Sequence, residues 1–150
     1  MFRLSKKTEY AILAMQYLAE KSGEPVSAKE IATSLGLSFE FLSKSLQSLM
    51  KSGLVSSQQG IKGGYHLVGT PDMISVMDII QAVSENVGIV ECMTESDCSR
   101  SGSCNLKDPM SILQSKVNEV FTQTFLADFA NETESNQFFN KDFKILNGIN

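Results

Sequence analysis

Residues 26–68 read VSAKEIATSLGLSFEFLSKSLQSLMKSGLVSSQQGIKGGYHLV, and their punctuation decides the architecture. Ser27 and Glu30 have capping-box spacing: the serine hydroxyl can accept the amide of residue 30 while the glutamate reaches back. Val26 with Ile31 makes the matching hydrophobic staple. The helix so begun is short and ends near Leu35, where Gly36 offers the left-handed conformation that closes helices. Ser38 is placed to cap a further helix running to about residue 52, with Gly53 as its stop. Two helices joined by a tight glycine-containing turn are the signature of a helix-turn-helix. On the second of them Phe39, Leu42, Leu46, Leu49 and Met50 share a side and are expected to pack inward. Glu40, Ser43, Lys44, Gln47 and Lys51 share the other. Any solvated helix shows such a polar face. The turn before it points instead to a helix that enters a DNA groove, where serine, lysine and glutamine can reach base edges or phosphates.

Directly after this pair, residues 54–58 and 65–68 have the character of two short strands, and Gly60, Gly63 and Gly64 make the link between them a hairpin tip. A hairpin in that place is a wing, and Lys62 at its tip can meet a phosphate. His66, the one histidine, reads as a surface residue.

Outward from this centre the chain is helical on both sides. Residues 6–21 place Tyr10, Leu13, Ala14, Tyr17 and Leu18 on one face, with Ser5 as N-cap and Gly23 and Pro25 beyond the end. After Pro71, Ser75 and Asp78 repeat the capping box, Ile74 and Ile79 the staple, and Met77, Ile80 and Val83 continue a buried face. Asp108 is the expected cap of a later helix, with Pro109 in its first position. There Met110, Leu113, Val117, Val120 and Thr124 recur in alternating threes and fours, a coiled-coil-like seam. Packing on its own domain is one fate for this stripe; a second copy of the chain is the other, and little sequence remains to cover it. Thr124 is the expected cap of a short helix over residues 126–130, and the tail 131–150 is polar with no clear period.

Between the last two long helices lies ECMTESDCSRSGSCNLKD, residues 91–108. It holds all 3 cysteines of the chain, Cys92, Cys98 and Cys104, in a C-x5-C-x5-C array with almost nothing apolar around them. A structural cysteine prefers an apolar pocket. Three thiolates on one polar segment can instead converge on a thiophilic metal or iron–sulfur centre, and an odd count leaves no fully paired disulfide framework. Three unrelated thiols are the bland alternative.

Composition bounds the rest. The 150 residues are 42% hydrophobic, enough for a core, and no apolar run is long enough for a membrane span. The start, MFRLSKKTEYAILAMQYLAE, is too interrupted by charge for a secretory signal, so a cytoplasmic location is expected, where thiols stay reduced. The net charge of −4 divides: residues 1–69 carry 8 Lys/Arg against 5 Asp/Glu, and residues 70–150 carry 5 against 12. A mildly basic front and an acidic back suit a nucleic-acid module attached to a regulatory segment. No Ser-His-Asp, Walker or Rossmann pattern is visible, and the short C-x2–4-C pairs of structural zinc are absent, so an enzyme is not expected.

Over roughly residues 2–130 the chain resembles the family of bacterial winged-helix regulators that includes the iron–sulfur regulator IscR and the nitric-oxide sensor NsrR. The similarity lies in FRLSKKTEYAILAMQYLA, in GLSFEFLSKSLQSLMKSGLVSSQQGIKGGYHL, in ISVMDIIQAV, and in the cysteine array with the helix after it. The resemblance implies a homodimer on pseudo-palindromic operators and an iron–sulfur cluster, 2Fe-2S or 4Fe-4S, held by Cys92, Cys98 and Cys104. In the IscR type a histidine follows the last cysteine by three residues; Lys107 stands there, and an ammonium has no lone pair to give. In the NsrR type an acidic residue near the chain start reaches over from the partner subunit, and Glu9 matches it. The residues alone place Glu9 outside the apolar stripe of its helix and leave Glu91, Glu95, Asp97 and Asp108 as competitors. Gln58 and Gln59 stand where the resemblance leads one to expect an arginine in the wing.

The expected fold class is mainly α with a small β-hairpin wing: a winged helix-turn-helix over 1–70, a cluster-binding loop and dimerisation helix over 71–130, and a polar tail over 131–150. The expected function is a DNA-binding transcriptional regulator, read as a repressor, that senses iron–sulfur status, redox or nitric oxide. Ser38, Glu40, Ser43, Lys44 and Gln47 are the candidate groove contacts. Lys6, Gln59 and Lys62 are the flanking ones, and Met110, Leu113, Val117 and Val120 the dimer seam. A thiol-based redox regulator without a cluster is the alternative, and a metal-bearing protein that does not bind DNA is the reading from another class.

Overall fold

The computed structural model describes residues 4–84, 88–90 and 104–129. Along the chain they form α1 (Lys6–Glu20), α2 (Ala28–Leu35), α3 (Phe39–Lys51), β1 (Val55–Gln58), β2 (Gly64–Leu67), α4 (Val76–Val83) and α5 (Lys107–Gln123). Single 3-10 turns lie at Pro71–Met73 and Leu126–Phe129. This is a winged helix-turn-helix followed by a long helix, as the sequence pattern predicts.

Local chemistry sets most boundaries. Ser5 caps α1 by accepting the Thr8 amide at 3.1 Å. Ser27 caps α2 from the Glu30 amide at 3.2 Å, and Gly36, at φ +63°, lets the Leu37 amide return to the Ala32 carbonyl. Only this half of the predicted capping box forms. The Glu30 carboxylate instead accepts the Tyr17 hydroxyl at 3.3 Å and lies 4.0 Å from the Lys21 ammonium. At Ser75 both halves form: its hydroxyl accepts the Asp78 amide at 3.1 Å, and the Asp78 carboxylate accepts the Ser75 amide at 2.9 Å. Ser38 sits at the N-cap of α3 but its hydroxyl makes no capping bond.

The core lies where α1 runs along α3, with α4 against both. Ala11, Ala14, Met15 and Leu18 of α1 meet Leu42, Leu46 and Leu49 of α3 there, together with Ile31, Val55, Ile79, Val83 and Leu126. Two expected faces are corrected. On α1, Ala11 and Met15 take the centre, Tyr10 and Tyr17 pack only at the edge, and Leu13 stays outside the cluster. On α3, Phe39 and Met50 are exposed and Ser45 is fully buried. The reason is close approach: small side chains at Ala11, Ala14 and Ser45 let the helices come together, and the Ser45 hydroxyl is satisfied by the Lys7 and Phe41 carbonyls at 3.0 and 3.2 Å.

The wing pairs antiparallel with Val55 opposite Leu67 and Gln58 opposite Gly64. It is anchored to the helix-turn-helix by a third extended segment, since Val26 and Tyr65 exchange two backbone bonds of 2.9 and 2.8 Å. Gly64 permits that approach: a Cβ there would collide with the Val26 backbone. At the tip the Gly63 amide closes onto the Gly60 carbonyl at 2.9 Å, which presents Ile61 and Lys62 at the apex. His66 is not a surface residue as expected. It is half-buried, and its Nδ1 is shielded with no hydrogen-bond partner.

Helix α5 starts earlier than predicted. Leu106 is its cap residue, and Asp108 and Pro109 both lie inside the first turn. Proline is tolerated there because that amide has no intrahelical acceptor, and the Asp108 carboxylate suits a helix N-terminus. Thr124 closes α5 rather than capping the 3-10 turn after it: its hydroxyl donates to the Val120 carbonyl at 2.7 Å, and the Asp128 carboxylate takes the Phe125 amide instead. Backbone bonds from Val76 to Thr124 and from Leu126 to Ile74, both 2.8 Å, fasten the end of α5 to the start of α4. No helix among the described residues is long and apolar enough to cross a membrane. The tail predicted over 131–150 lies outside the described residues.

Candidate nucleic-acid interface and thiol region

The side of α3 opposite the core carries Glu40, Lys44, Gln47 and Lys51, all exposed, with Ser43 at its margin. Lys44 pairs with Glu40 at 3.0 Å, one helical turn away. The Ser43 hydroxyl donates to the Phe39 carbonyl at 2.7 Å. Ser38 and Gln47 are exposed, as are Gln59 and Lys62 in the wing. Sequence reasoning thus placed its polar groove candidates on one accessible face. It overlooked two exposed apolar side chains of the same helix: Phe39 and Phe41 are each 56% exposed. Side chains two positions apart on a helix point about 200° apart, so the two rings lie on different flanks of α3; only Phe39 is expected inward.

The first turn of α1 is tied to α3 through the Lys7 carbonyl, which accepts the buried Ser45 hydroxyl at 3.0 Å. Lys6 pairs with Glu9 at 2.8 Å, both side chains largely in solvent. Glu9 therefore lies off the core stripe, as the sequence indicates, but with its neighbour Lys6 as partner. Thr8 beside it is buried and bonds both Ser5, at 2.8 Å, and Ser84 at the end of α4, at 3.0 Å.

Of the cysteine array only Cys104 falls among the described residues; Cys92, Cys98, Glu91, Glu95 and Asp97 lie outside them. Cys104 carries a free thiol, half-exposed, three residues before α5 begins. The chain leading toward the array is held on α5, where the Ile89 amide donates to the Gln114 side chain at 2.7 Å and Gln114 in turn bonds Asn118. A free, accessible thiol at the head of α5 fits a thiophilic centre as one donor of a set. Lys107 and Asp108 are both exposed in the first turn of α5.

No residue of α5 is buried by the described residues. Leu113 and Val120 of the expected seam are 43% and 61% exposed, Met110 and Val117 half-buried, and Val117, Val120 and Phe121 line a shallow apolar cleft.

This arrangement has relatives. The family model for Rrf2, described as an iron-dependent transcriptional regulator, matches residues 4–132. The chain is 32% identical over 133 residues to the HTH-type transcriptional regulator IscR of Erwinia tasmaniensis, spanning 88% of this chain and 81% of that one. The solved structure of CymR, the global cysteine regulator of Bacillus subtilis, matches with a TM-score of 0.71 at 32% identity, over 87% of this chain and 97% of that one. The oxidized form of Staphylococcus aureus CymR matches with a TM-score of 0.68 at 28% identity, over 88% and 98%.

Proposed function

The chain belongs to the Rrf2 family of DNA-binding transcriptional regulators, and from that premise we propose that it is a homodimeric, operator-binding repressor that senses through an iron–sulfur cluster. The observation that carries the DNA reading is the geometry of α3. Leu42, Leu46 and Leu49 fix its inner side, and the opposite side presents Glu40, Lys44 and Gln47 to solvent just after a glycine turn. In a dimer two such helices enter successive major grooves about 34 Å apart. Ser38, Glu40, Ser43, Lys44 and Gln47 then face bases, while Lys6, Gln59 and Lys62 face the backbone. The apolar stripe of α5, with Met110, Leu113, Val117 and Val120, is the seam between copies.

Cys92, Cys98 and Cys104 are assigned as the thiolate ligands, with Glu9 of the partner subunit as the fourth. Support comes from the free thiol at the head of α5, from the exposure of Glu9, and from the iron-dependent description of the family. When bound, the cluster supplies a redox- and nitric-oxide-sensitive centre. This chain's residues hold it and relate the thiol region to α1. In this reading residues 1–70 bind DNA and residues 71–130 sense and dimerise.

The test is anaerobic purification of the full chain, with iron, acid-labile sulfide and visible absorption measured beside operator retention. Cys92→Ala, Cys98→Ala and Cys104→Ala should each lose most of the colour, and full cluster retention in all three would remove the assignment. The oxidized form of the S. aureus relative favours a second reading, a thiol switch with no cluster. Colourless, iron-free protein whose DNA retention responds to oxidant selects it.

A further inference from the structure

Phe39 is the first residue of α3, and more than half of its surface is in solvent. Exposing a phenyl at the head of a helix is costly unless something else covers it. The second exposed ring is accounted for. Phe41 meets Tyr10 edge-on at 6.4 Å between centroids, and the Lys44 ammonium lies 5.6 Å over its face. Among the described residues Phe39 has no such ring partner. It lines an open, mostly apolar cleft of about 440 Å³ with Ala32, Thr33, Leu37 and the exposed Lys29 of α2. Of the polar side chains that share this cleft, Thr33 donates its hydroxyl to the Lys29 carbonyl at 2.8 Å, and the Lys29 ammonium is exposed.

We propose that Phe39 is a specificity-determining residue that packs against the 5-methyl group of a thymine in each operator half-site, with Lys29 on the adjacent phosphate. The inference rests on the reading of α3 as the groove-entering helix. Base contacts in this motif come from the N-terminal residues of that helix. Thymine alone among the bases presents a methyl group in the major groove, and phenylalanine is one of the side chains that reads it. Charge points the same way. Residues 1–69 carry a net of only +3 (8 − 5), and Lys62 is the single Lys or Arg between residues 54 and 69. Counterion release is then modest. Burial of apolar surface adds a contribution that depends on sequence and hardly on salt.

The experiment uses the full chain. Duplexes are selected from a random library, and each thymine of the selected duplex is then replaced singly by deoxyuridine, which removes only the methyl group. One position per half-site should weaken binding about fourfold, the worth of one buried methyl, to the same extent at low and high salt. Phe39→Ser should abolish that discrimination while the preference dependent on Gln47 persists. Phe39→Leu and Phe41→Leu should both retain it. The uracil scan of the unaltered chain needs no variant to fold. A specifically bound duplex indifferent to uracil at every thymine, or an undiminished effect in Phe39→Ser, overturns the proposal. Selection of no duplex at all removes the operator reading itself, and the assignment of Phe39 falls with it.

Discussion

Replacing Gly64 with alanine tests how the wing is attached. A Cβ at this position would sit within 2.8 Å of the Ser27 amide nitrogen and closer still to the Val26 carbonyl group. Carbon atoms prefer roughly 3.5–4.0 Å, so β2 and the segment before α2 must separate by about 1 Å. These obstacles are backbone, which cannot swing aside as a side chain would. Separation of that size breaks the two Val26–Tyr65 bonds, now 2.9 and 2.8 Å. Each is worth about 1 kcal/mol net, and more where a buried group is left unpaired. Val26 is 3% exposed and belongs to the core beside Ile31, so its groups have little access to water. The sum is about 2–4 kcal/mol, against a total stability on the order of 5–15. For a chain of this size the melting temperature should fall by roughly 5–15 °C, measured by calorimetry. Gly23→Ala is the control: nothing lies within 4 Å of its Cβ, and only the left-handed φ of +88° opposes the change. That substitution should cost about 1–2 kcal/mol. If Gly64→Ala melted within 2 °C of the parent, or above Gly23→Ala, the wing would not depend on this approach.

Four other substitutions probe the caps, the seam and the reading surface. Ser75→Ala removes the hydroxyl from a complete capping box and should cost about 1 kcal/mol in denaturant unfolding. Val120→Asp should place an unpaired charge in the proposed seam, weakening the dimer by about 3 kcal/mol or more; an unchanged dimer in sedimentation would contradict the seam. Lys62→Ala should weaken binding to every duplex and reduce the salt slope by about one unit per subunit, and a change confined to one sequence would contradict a phosphate role. Gln47→Ala should relax preference at one base position in each half-site by about 1–3 kcal/mol, whereas unchanged preferences would mean that α3 is turned differently in the groove.

The range of an interaction decides whether the chain alone reveals it. Gly36, Gly53, Ser27 and Ser75 act within four residues of themselves, and their turns and caps stand where their spacing puts them. Glu30 shows where local reasoning stops. Its capping role was lost to Tyr17 and Lys21, partners supplied by a different helix and its C-cap. Ala14, Leu18, Leu42, Leu46 and Leu49 are buried as their spacing indicates, and the inner faces of α1 and α3 depart from the pattern elsewhere because hydrophobic periodicity counts large side chains. Two helices in close contact need small ones, and Ala11, Thr8 and Ser45 fill the places the pattern gave to Leu13, Phe39 and Met50. The polar groove candidates were legible because the outward face of α3 is the complement of its leucines. The exposure of Phe39 is hidden by the assumption that a phenylalanine on a helix belongs to the core.

The first turn of α1 is where the two proposed activities adjoin. Four consecutive residues there divide between solvent and core. Lys6 is exposed and is the residue proposed to meet the DNA backbone. Lys7 gives its carbonyl to Ser45 of α3. Thr8 is buried and bonds Ser84 just after the end of α4. Glu9 holds Lys6. An exposed pair of this kind is worth under about 1 kcal/mol, so Glu9 can exchange Lys6 for another partner at little cost, and Lys6 is then available to a phosphate. The Ser45 bond works differently. It is shielded, it lies in the middle of α3, and α3 cannot shift along α1 without breaking it. A change of partner at Glu9 therefore alters the charge offered to DNA with little energetic resistance, while a displacement of the whole turn must carry α3 with it. Both responses would begin within one helical turn, so in the proposed reading a long relay through the core is unnecessary.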